Sequence, residues 1–168
     1  MGTRHLQTVI NKAGEKKLNQ YGQWDGYPSG QGKSILNFLK EADLEKYNEE
    51  ISKLREAEQK DYDEVNKFVD KVLKKKLDGA AERKVLQDNP QCYALNRDCG
   101  ANIHNLILNG KVEFVHYVVD AEADEWCEGF YTINLQTREF ISDFHGNVVT
   151  FEIDNLPTEE DYLKAFED

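Results

Sequence analysis

Segments with a β-strand pattern lie at both ends of the chain, and a long helical stretch separates them. Near the amino terminus, residues 3–11 and 16–24 are rich in branched and aromatic side chains and flank a turn at Gly14, which predicts a hairpin. The last third predicts a meander with strands at 112–119, 129–135, 139–144 and 148–153. We expect the hairpin and the meander to join one sheet.

Helical periodicity dominates the middle of the chain. Apolar residues recur at spacings of three and four over 35–54 and again over 65–77. Asp43 is a candidate N-cap within the first of these stretches, and Gly79 is a candidate stop for the second. We therefore interpret residues 34–90 as a helical insertion, with two of its helices forming an antiparallel hairpin.

Two shorter helices complete the predicted order of elements. Residues 101–109 predict one of them, and residues 159–166, with Thr158 as the candidate cap, predict the other. The stretch 120–128 is acidic and is interpreted as a loop or strand rim. The resulting fold class is α+β, a single domain over 1–168 in which an inserted helical hairpin and short helices accompany a largely antiparallel sheet.

Charge is divided unevenly between the two halves of the chain. Residues 1–91 contain 17 basic and 16 acidic side chains, whereas residues 92–168 contain 4 basic and 16 acidic ones. The whole net charge of -11 therefore belongs to the second half. A field of this sign disfavours binding to nucleic acid or anionic membrane and suits a basic protein surface, although it also serves solubility. With three cysteines and no long apolar run, we expect neither a disulfide framework nor a membrane span.

The sequence Gly32-Lys33-Ser34 matches only the end of a phosphate-binding P-loop. The motif needs a glycine five residues before Gly32, and that position is Tyr27. Pro28 also lies in the loop and has no N–H group to offer a phosphate. We therefore do not expect a nucleoside triphosphatase of this type.

Aromatic and amide side chains are concentrated in the segment 20–28, at the predicted exit of the second strand. The segment reads Gln-Tyr-Gly-Gln-Trp-Asp-Gly-Tyr-Pro. An aromatic ring offers a stacking face, and amides and a carboxylate bind the hydrogen-bonding edges of a base or ribose. The alternative is a structural turn, in which Asp25 caps its own loop and Trp24 lies in the core.

The cysteines and histidines give only weak signals. The spacing of Cys92, Cys99, His104 and Cys127 matches no zinc pattern with two close ligand pairs, so we expect no metal and no other cofactor. A nucleophilic set of Cys99, His104 and Asp98 can be written down, but nothing in the sequence marks the thiol as activated.

Three segments together resemble a family of small proteins of bacteriophages and prophages. They are Gly2-Thr3-Arg4, the loop from Gln20 to Gly32, and Leu95-Asn96-Arg97-Asp98-Cys99-Gly100-Ala101. Members of this family open with a Gly-Thr-Arg strand, carry a similar Trp/Phe-Asp-Gly-Tyr-Pro loop and later show an Arg-Asp-x-Gly-Ala motif. The resemblance implies a phage origin and action in the host cytoplasm, and it implies no particular chemistry.

The resemblance also predicts which residues form a pocket. If the motifs meet, they bring together a polar and aromatic set made of Arg4, Gln23, Trp24, Asp25, Tyr27, Arg97 and Asp98. Two arginines would bind an anionic or phosphorylated ligand as planar forks. The alternative is that Arg4–Asp25 or Arg97–Asp98 are ion pairs that hold the loop in place.

These features favour a phage accessory protein that acts by binding. The first hypothesis is inhibition of a host anti-phage defence protein through a masked surface, with Glu122, Asp124 and Glu125 as the candidate contact residues. A second hypothesis is sequestration of a nucleotide-type signalling ligand in the predicted pocket. A third is a small enzyme acting on a nucleotide, with Asp25 and Asp98 as acid and base. Homo-oligomerisation stays open.

Overall fold

The computed structural model describes residues 2–167 and contains one large and one small sheet. The strands are β1 His5–Ile10, β2 Lys16–Gly22, β3 Arg55–Glu56, β4 Phe114–Val115, β5 Gly129–Asn134, β6 Glu139–Phe144 and β7 Asn147–Glu152. Strands β2-β1-β5-β6-β7 form the large sheet in that order. The β1/β5 pair is parallel and the other three pairs are antiparallel, so hairpin and meander do join one sheet.

Eight α-helices accompany the sheets within the described residues. They are α1 Lys33–Glu41, α2 Leu44–Ser52, α3 Gln59–Lys74, α4 Gly79–Gln87, α5 Pro90–Ala94, α6 Asn102–Leu108, α7 Asp120–Trp126 and α8 Glu159–Lys164. The α+β class is thereby confirmed. Asp43 caps α2 and Thr158 caps α8 through their side-chain oxygens, as expected. Over residues 2–167, no helix has the length and apolar character to cross a bilayer.

The main core lies between one face of the large sheet and a layer that includes α1, α2, α6 and α8. It contains fully buried side chains from the strands and from all four helices, among them Leu18, Leu36, Tyr47, Ile103, Tyr131, Phe140 and Tyr162. A smaller cluster of Leu6, Val118 and Ala123 lies on the opposite face under α7. Alternate residues of β1 thus enter different clusters, as the two-residue period of a strand requires.

A chain of polar side chains runs through the main core. The Tyr47 hydroxyl is 2.7 Å from His104 Nδ1, and His104 Nε2 is 2.5 Å from Gln7 Oε1. The other end of the Gln7 amide lies 3.1 Å from His5 Nε2. Burial lowers the pKa of His5 to about 4 and that of His104 to about 3, because a charged imidazole loses its hydration there. Both rings are therefore neutral in the folded protein at pH 7.

The helical segment 34–90 divides into two parts that pack differently. Helix α1 buries four apolar residues and α2 buries Tyr47 and Ile51, with α6 and β2 as neighbours of α2. Helix α3 contacts α4 instead of pairing with α2, and of its residues only Asp61 and Val72 are buried. The expected antiparallel partner of α2 is therefore replaced by α6.

Two predictions about residues 112–128 are wrong. The expected strand 112–119 forms only β4, which pairs in parallel with β3 outside the large sheet. Val115 packs in the main core and Val118 packs under α7, as alternate residues of a strand would, but the pairing with β3 stops at Val115. The acidic stretch that follows is helix α7, in which Ala123 is buried and early acidic residues favour the helix start.

The prediction that Gly79 ends a helix is also wrong. Helix α3 ends at Lys74, and Lys76 adopts the left-handed conformation that glycine usually supplies at the end of a helix. Asp78 then caps a new helix, α4, by accepting a hydrogen bond from the Ala81 N–H. Gly79 is the first residue of α4.

Candidate functional site

The loop after β2 is held by backbone hydrogen bonds to two distant parts of the chain. The Gln23 N–H donates to the Arg97 carbonyl at 3.0 Å, and the Gly26 N–H donates to the Thr3 carbonyl at 2.9 Å. The Tyr131 hydroxyl donates to the Gly26 carbonyl at 2.6 Å. Strand β2 ends at Gly22, two residues earlier than predicted. The three motif segments therefore meet in space.

Trp24 lies at the surface of this loop. Its side chain is 46% exposed, so the alternative that placed it in the core is wrong. The indole Nε1–H donates to Asp98 Oδ1 at 2.7 Å, which sets the orientation of the ring. Gly2 lies against the same indole, where a Cβ atom would come within 2.5 Å of a ring carbon. The ring is thus fixed in place while much of its surface stays open.

Gln31 connects the loop to the start of α6. Its amide Nε2 donates to the Trp24 carbonyl at 3.2 Å, and its Oε1 accepts from the Ala101 N–H at 2.8 Å. Asp25 lies between Trp24 and Gln31 in the chain. Its φ of 56° is a left-handed conformation that Asp tolerates better than most residues. The Asp25 backbone is held by the Gln31 N–H, which donates to its carbonyl at 2.8 Å.

An open cleft of about 730 Å³ lies beside this loop. The loop contributes Trp24 and Asp25, the 95–101 segment contributes Arg97 and Asp98, and α4 contributes Arg83. Tyr93 and several amide side chains complete the lining. Four of the seven residues predicted to form a pocket therefore line one cavity.

The two arginines of the cleft take no part in the ion pairs of the described residues. The ion pairs found within the described residues, at N–O distances up to 4.0 Å, involve neither Arg83 nor Arg97. The expected alternative pairs Arg4–Asp25 and Arg97–Asp98 are likewise not among them. Both cleft arginines are exposed, and their guanidinium N–H groups can donate hydrogen bonds to a ligand.

The remaining predicted residues lie outside the cleft. Gln23 accepts a hydrogen bond from the Tyr21 hydroxyl on the neighbouring surface of the sheet. Arg4 lies in the same area, where its charge acts on Tyr21 and Cys127, and its Nε atom is buried without a partner in the described structure. Tyr27 turns away and packs edge-on against Phe144, with ring centroids 6.3 Å apart.

The nucleophilic set considered from the sequence is not assembled. Both ring nitrogens of His104 are occupied by Tyr47 and Gln7, deep in the core. Burial raises the pKa of the Cys99 thiol to about 12, so the reactive thiolate is scarce at pH 7. Across residues 2–167, no three His, Cys, Asp or Glu side chains lie close enough together to hold a metal ion.

The turn before α1 is filled by protein side chains. A Cβ atom on Gly32 would lie 2.3 Å from the Tyr162 hydroxyl and 2.9 Å from a carbon of the Tyr131 ring. Gly32 is therefore needed for close packing of this turn on the core. Gly32-Lys33-Ser34 does not form the open phosphate cradle of a P-loop.

The acidic candidate contact residues lie on α7, on the other side of the large sheet from the main core. Glu122, Asp124 and Glu125 are all exposed. Two large apolar side chains accompany them, Trp126 with 45% and Val119 with 57% of its surface exposed. The helix is thus an acidic surface with apolar residues at its two ends.

Sequence reasoning missed the contribution of α4 to the cleft. Arg83 and Glu82 belong to a helix that the pattern did not reveal, because Gly79 was interpreted as a stop. The signal that could have found this helix is Asp78 before a run of good helix formers. Even then, only the folded structure shows what the helix faces.

Comparison with known proteins identifies no relative of this chain. No family model, curated protein or solved structure matches this chain.

Proposed function

We propose that this protein acts by binding, and that the Trp24 cleft holds a small ligand of nucleotide type. The observation that carries the proposal is an exposed, fixed indole ring in one cavity with two arginines that lack ion-pair partners in the described residues. Aromatic rings stack on bases, and guanidinium groups bind phosphate oxygens in a bidentate manner. The volume also lies in the range of about 300–1,000 Å³ that is usual for small-molecule sites.

The acidic residues of the cleft narrow the kind of ligand. Asp25 and Glu82 contribute carboxylates to a lining that also contains Arg83 and Arg97. A ligand that carries both an anionic group and hydrogen-bond donors satisfies such a lining better than a simple anion does. Nucleotides have both, because amino and hydroxyl groups accompany the phosphate.

Binding explains the site better than catalysis does. Asp98, one of the two carboxylates considered as acid and base, accepts the indole N–H of Trp24 and so holds the aromatic wall. The histidines of the core are fully hydrogen-bonded or buried away from the cleft. The resemblance to phage and prophage proteins supports a setting in which sequestering a nucleotide signal weakens a host defence that depends on it.

The experiment that tests this function follows the fluorescence of Trp24. The variant Trp126→Phe leaves Trp24 as the only tryptophan. Titration with a panel of AMP, ADP, cyclic dinucleotides and NAD should change its emission for at least one member, and Arg97→Gln should weaken that response about 10- to 100-fold. Denaturing the freshly purified protein should also release a nucleotide if the ligand co-purifies.

A control variant separates the cleft from general charge effects. Arg138 is a half-buried arginine far along the chain that is already paired with Asp154 at 2.6 Å, and Arg138→Gln should leave the response unchanged. If no nucleotide changes the emission and none is released, the cleft is not a nucleotide site.

We also propose a second function at α7, the masking of a basic host protein surface. Exposed Trp126 and Val119 beside Glu122, Asp124 and Glu125 combine apolar area with negative charge, which suits a basic partner with an apolar centre. Reversal of the three acidic residues to lysine should abolish capture of the partner from host cells. Reversal of three other exposed acidic residues, Glu49, Glu64 and Asp70, should leave capture intact, and equal loss in both variants would contradict this surface.

A further inference from the structure

The face of helix α4 that borders the cleft is largely polar. Gly79, Glu82, Arg83 and Leu86 recur at helical spacing, so they lie on one face, and all four line the cavity. In the structure of residues 2–167, α4 buries none of its side chains. A face with a glutamate, an arginine and one leucine suits contact with a polar ligand better than burial in a core. Here the face forms the outer wall of an open space.

Two neighbouring cations on α4 have different surroundings. Lys84 Nζ lies 3.3 Å from Asp88 Oδ2, one turn further along the same helix, and Lys84 does not line the cleft. Arg83 lines the cleft, and the ion pairs of the described residues do not include it. Lys84 is therefore a matched control for Arg83, because it is a neighbouring cation that lies outside the cleft.

The inner wall of the cleft is held much more firmly than α4. The Arg97 carbonyl accepts the Gln23 N–H, and the adjacent Asp98 carboxylate accepts the Trp24 indole N–H. Arg97 thus belongs to a hydrogen-bonded wall that includes the Trp24 loop. Arg83 belongs to a helix that contacts α3 and α5 but contributes nothing to the main core.

We infer that Arg83 is a ligand-binding residue, and that Arg83 of α4 and Arg97 of the 95–101 segment together hold a phosphate group in the cleft. This inference rests on the proposed nucleotide-binding function and specifies which part of the ligand each wall binds. Phosphate oxygens accept two parallel N–H bonds from each guanidinium, which a lysine cannot supply. The ligand class is therefore a nucleotide whose phosphate is required, with the base on the Trp24 side.

A consequence for α4 follows from its weak packing. A helix with few buried contacts opens at low free energy, and a ligand that binds only the closed arrangement lowers the frequency of opening. Phosphate held by Arg83 links α4 to the Arg97 wall. Binding is therefore expected to slow amide hydrogen exchange in residues 78–88 by a measurable factor.

The test compares Arg83→Gln with Lys84→Gln, using ADP and adenosine as probes in calorimetric titrations. Arg83→Gln should weaken ADP binding about 10- to 100-fold and leave adenosine binding within about twofold, because only ADP has the phosphate. Lys84→Gln should leave both unchanged. Arg83→Lys should fall between wild type and Arg83→Gln, since it keeps the charge and loses the fork.

Hydrogen exchange provides a second readout. ADP should protect residues 78–88 in the wild-type protein and in Lys84→Gln, and this protection should disappear in Arg83→Gln. Arg83 is exposed, so its replacement should not unfold the protein, and the urea unfolding midpoint checks this.

Three outcomes would overturn the inference in different ways. If Arg83→Gln behaves like Lys84→Gln while Arg97→Gln and Trp24→Ala weaken ADP binding, Arg83 has no role and the proposed function stands. If Arg83→Gln weakens ADP and adenosine equally, Arg83 does not act on phosphate. If the wild-type protein binds neither ADP nor any nucleotide of the panel, the proposed function itself fails.

Discussion

The helical part of the sequence forms two pairs of helices that pack differently. The first pair, α1 and α2, builds the main core, whereas the second pair, α3 and α4, does not. Helix α1 buries Ile35, Leu36, Phe38 and Leu39, whereas α4 buries no side chain in the described structure. The apolar stripe of α3 is as regular as that of α1, and still Leu73 is 50% exposed. An amphipathic pattern shows which face a helix can bury, and the fold decides whether a surface is there to receive it.

The difference also separates the stable part of the molecule from the part that forms the site. The packed region holds the sheet, the buried polar chain and the Trp24 loop, all joined by hydrogen bonds. The loosely packed region provides the outer wall of the cleft. Local opening should therefore start in α3 and α4, where little apolar surface is buried.

The largest expected effect comes from removing one leucine from each region. Leu36 is fully buried, and Leu36→Ala should lower the free energy of unfolding by about 2–5 kcal/mol. Leu73→Ala should lower it by less than about 1 kcal/mol, because half of that side chain is already in water. Urea unfolding followed by circular dichroism measures both, and equal losses would show that α3 is part of the cooperative core.

A decrease in pH should destabilise the packed region through its two buried histidines. Their folded pKa values of about 4 for His5 and about 3 for His104 lie below the ordinary value of 6.5, so the unfolded chain binds protons first as the pH falls. The stabilisation is complete above about pH 6.5 and is lost below it, by on the order of 1 kcal/mol per pH unit for each histidine. Urea unfolding at pH 7.5, 6 and 5 tests this.

Two variants distinguish the buried histidines from other acid effects. His104→Gln should reduce the slope of stability against pH, since it removes one of the two groups. His145→Asn should keep the slope, because His145 is exposed and Asn also tolerates its φ of 51°. An unchanged slope in His104→Gln would contradict the assignment.

A smaller effect is expected from adding one methyl group to a glycine of each region. A Cβ atom on Gly22 would lie 2.1 Å and 2.3 Å from the imidazole atoms Cε1 and Nε2 of His5, a ring held by Gln7. Gly22→Ala should therefore cost about 1–3 kcal/mol of stability through overpacking. At Gly79 nothing lies within 4 Å, and Gly79→Ala should be neutral or stabilise by up to about 1 kcal/mol. Thermal and urea unfolding measure the pair.

The smallest effect is expected when the N-cap residue of one helix in each region is replaced by alanine. Asp43 caps α2 and Asp78 caps α4, each by accepting backbone N–H bonds. Each alanine variant should lose about 1 kcal/mol of helix stability. For Asp43→Ala the loss should appear in global unfolding, whereas for Asp78→Ala it should appear as faster hydrogen exchange in α4 with little change in the urea midpoint. The reverse result would mean that α4 unfolds with the core.

Most elements of the large sheet could be predicted because their signals are local. Strand β6 begins and ends as expected at Glu139 and Phe144, and the others agree within a few residues. Alternation of side chains and the turns between strands suffice for this. The sharing of one sheet by hairpin and meander was predicted, whereas the parallel pairing of β1 with β5 was not.

The two errors between residues 112 and 128 have a common cause. Apolar residues of the run 112–119 pack in both clusters, as those of a strand would, so the pattern alone cannot show that strand pairing stops at Val115. At 120–128, one buried residue, Ala123, gives too weak a period to predict a helix. Long-range packing thus overrides the local pattern in both places.

The sequence by itself determined that this chain is an α+β protein with its strands at the two ends, because strand and helix periods are local properties of the chain. It also marked the Trp24 loop and the Arg97 segment as places of interest, through clustered aromatic, amide and charged residues. Only the tertiary structure decided that Arg83 joins Trp24 and Arg97 at one cleft while Arg4 and Tyr27 lie elsewhere. The physical reason is that contacts between distant segments depend on how every helix packs on the sheet.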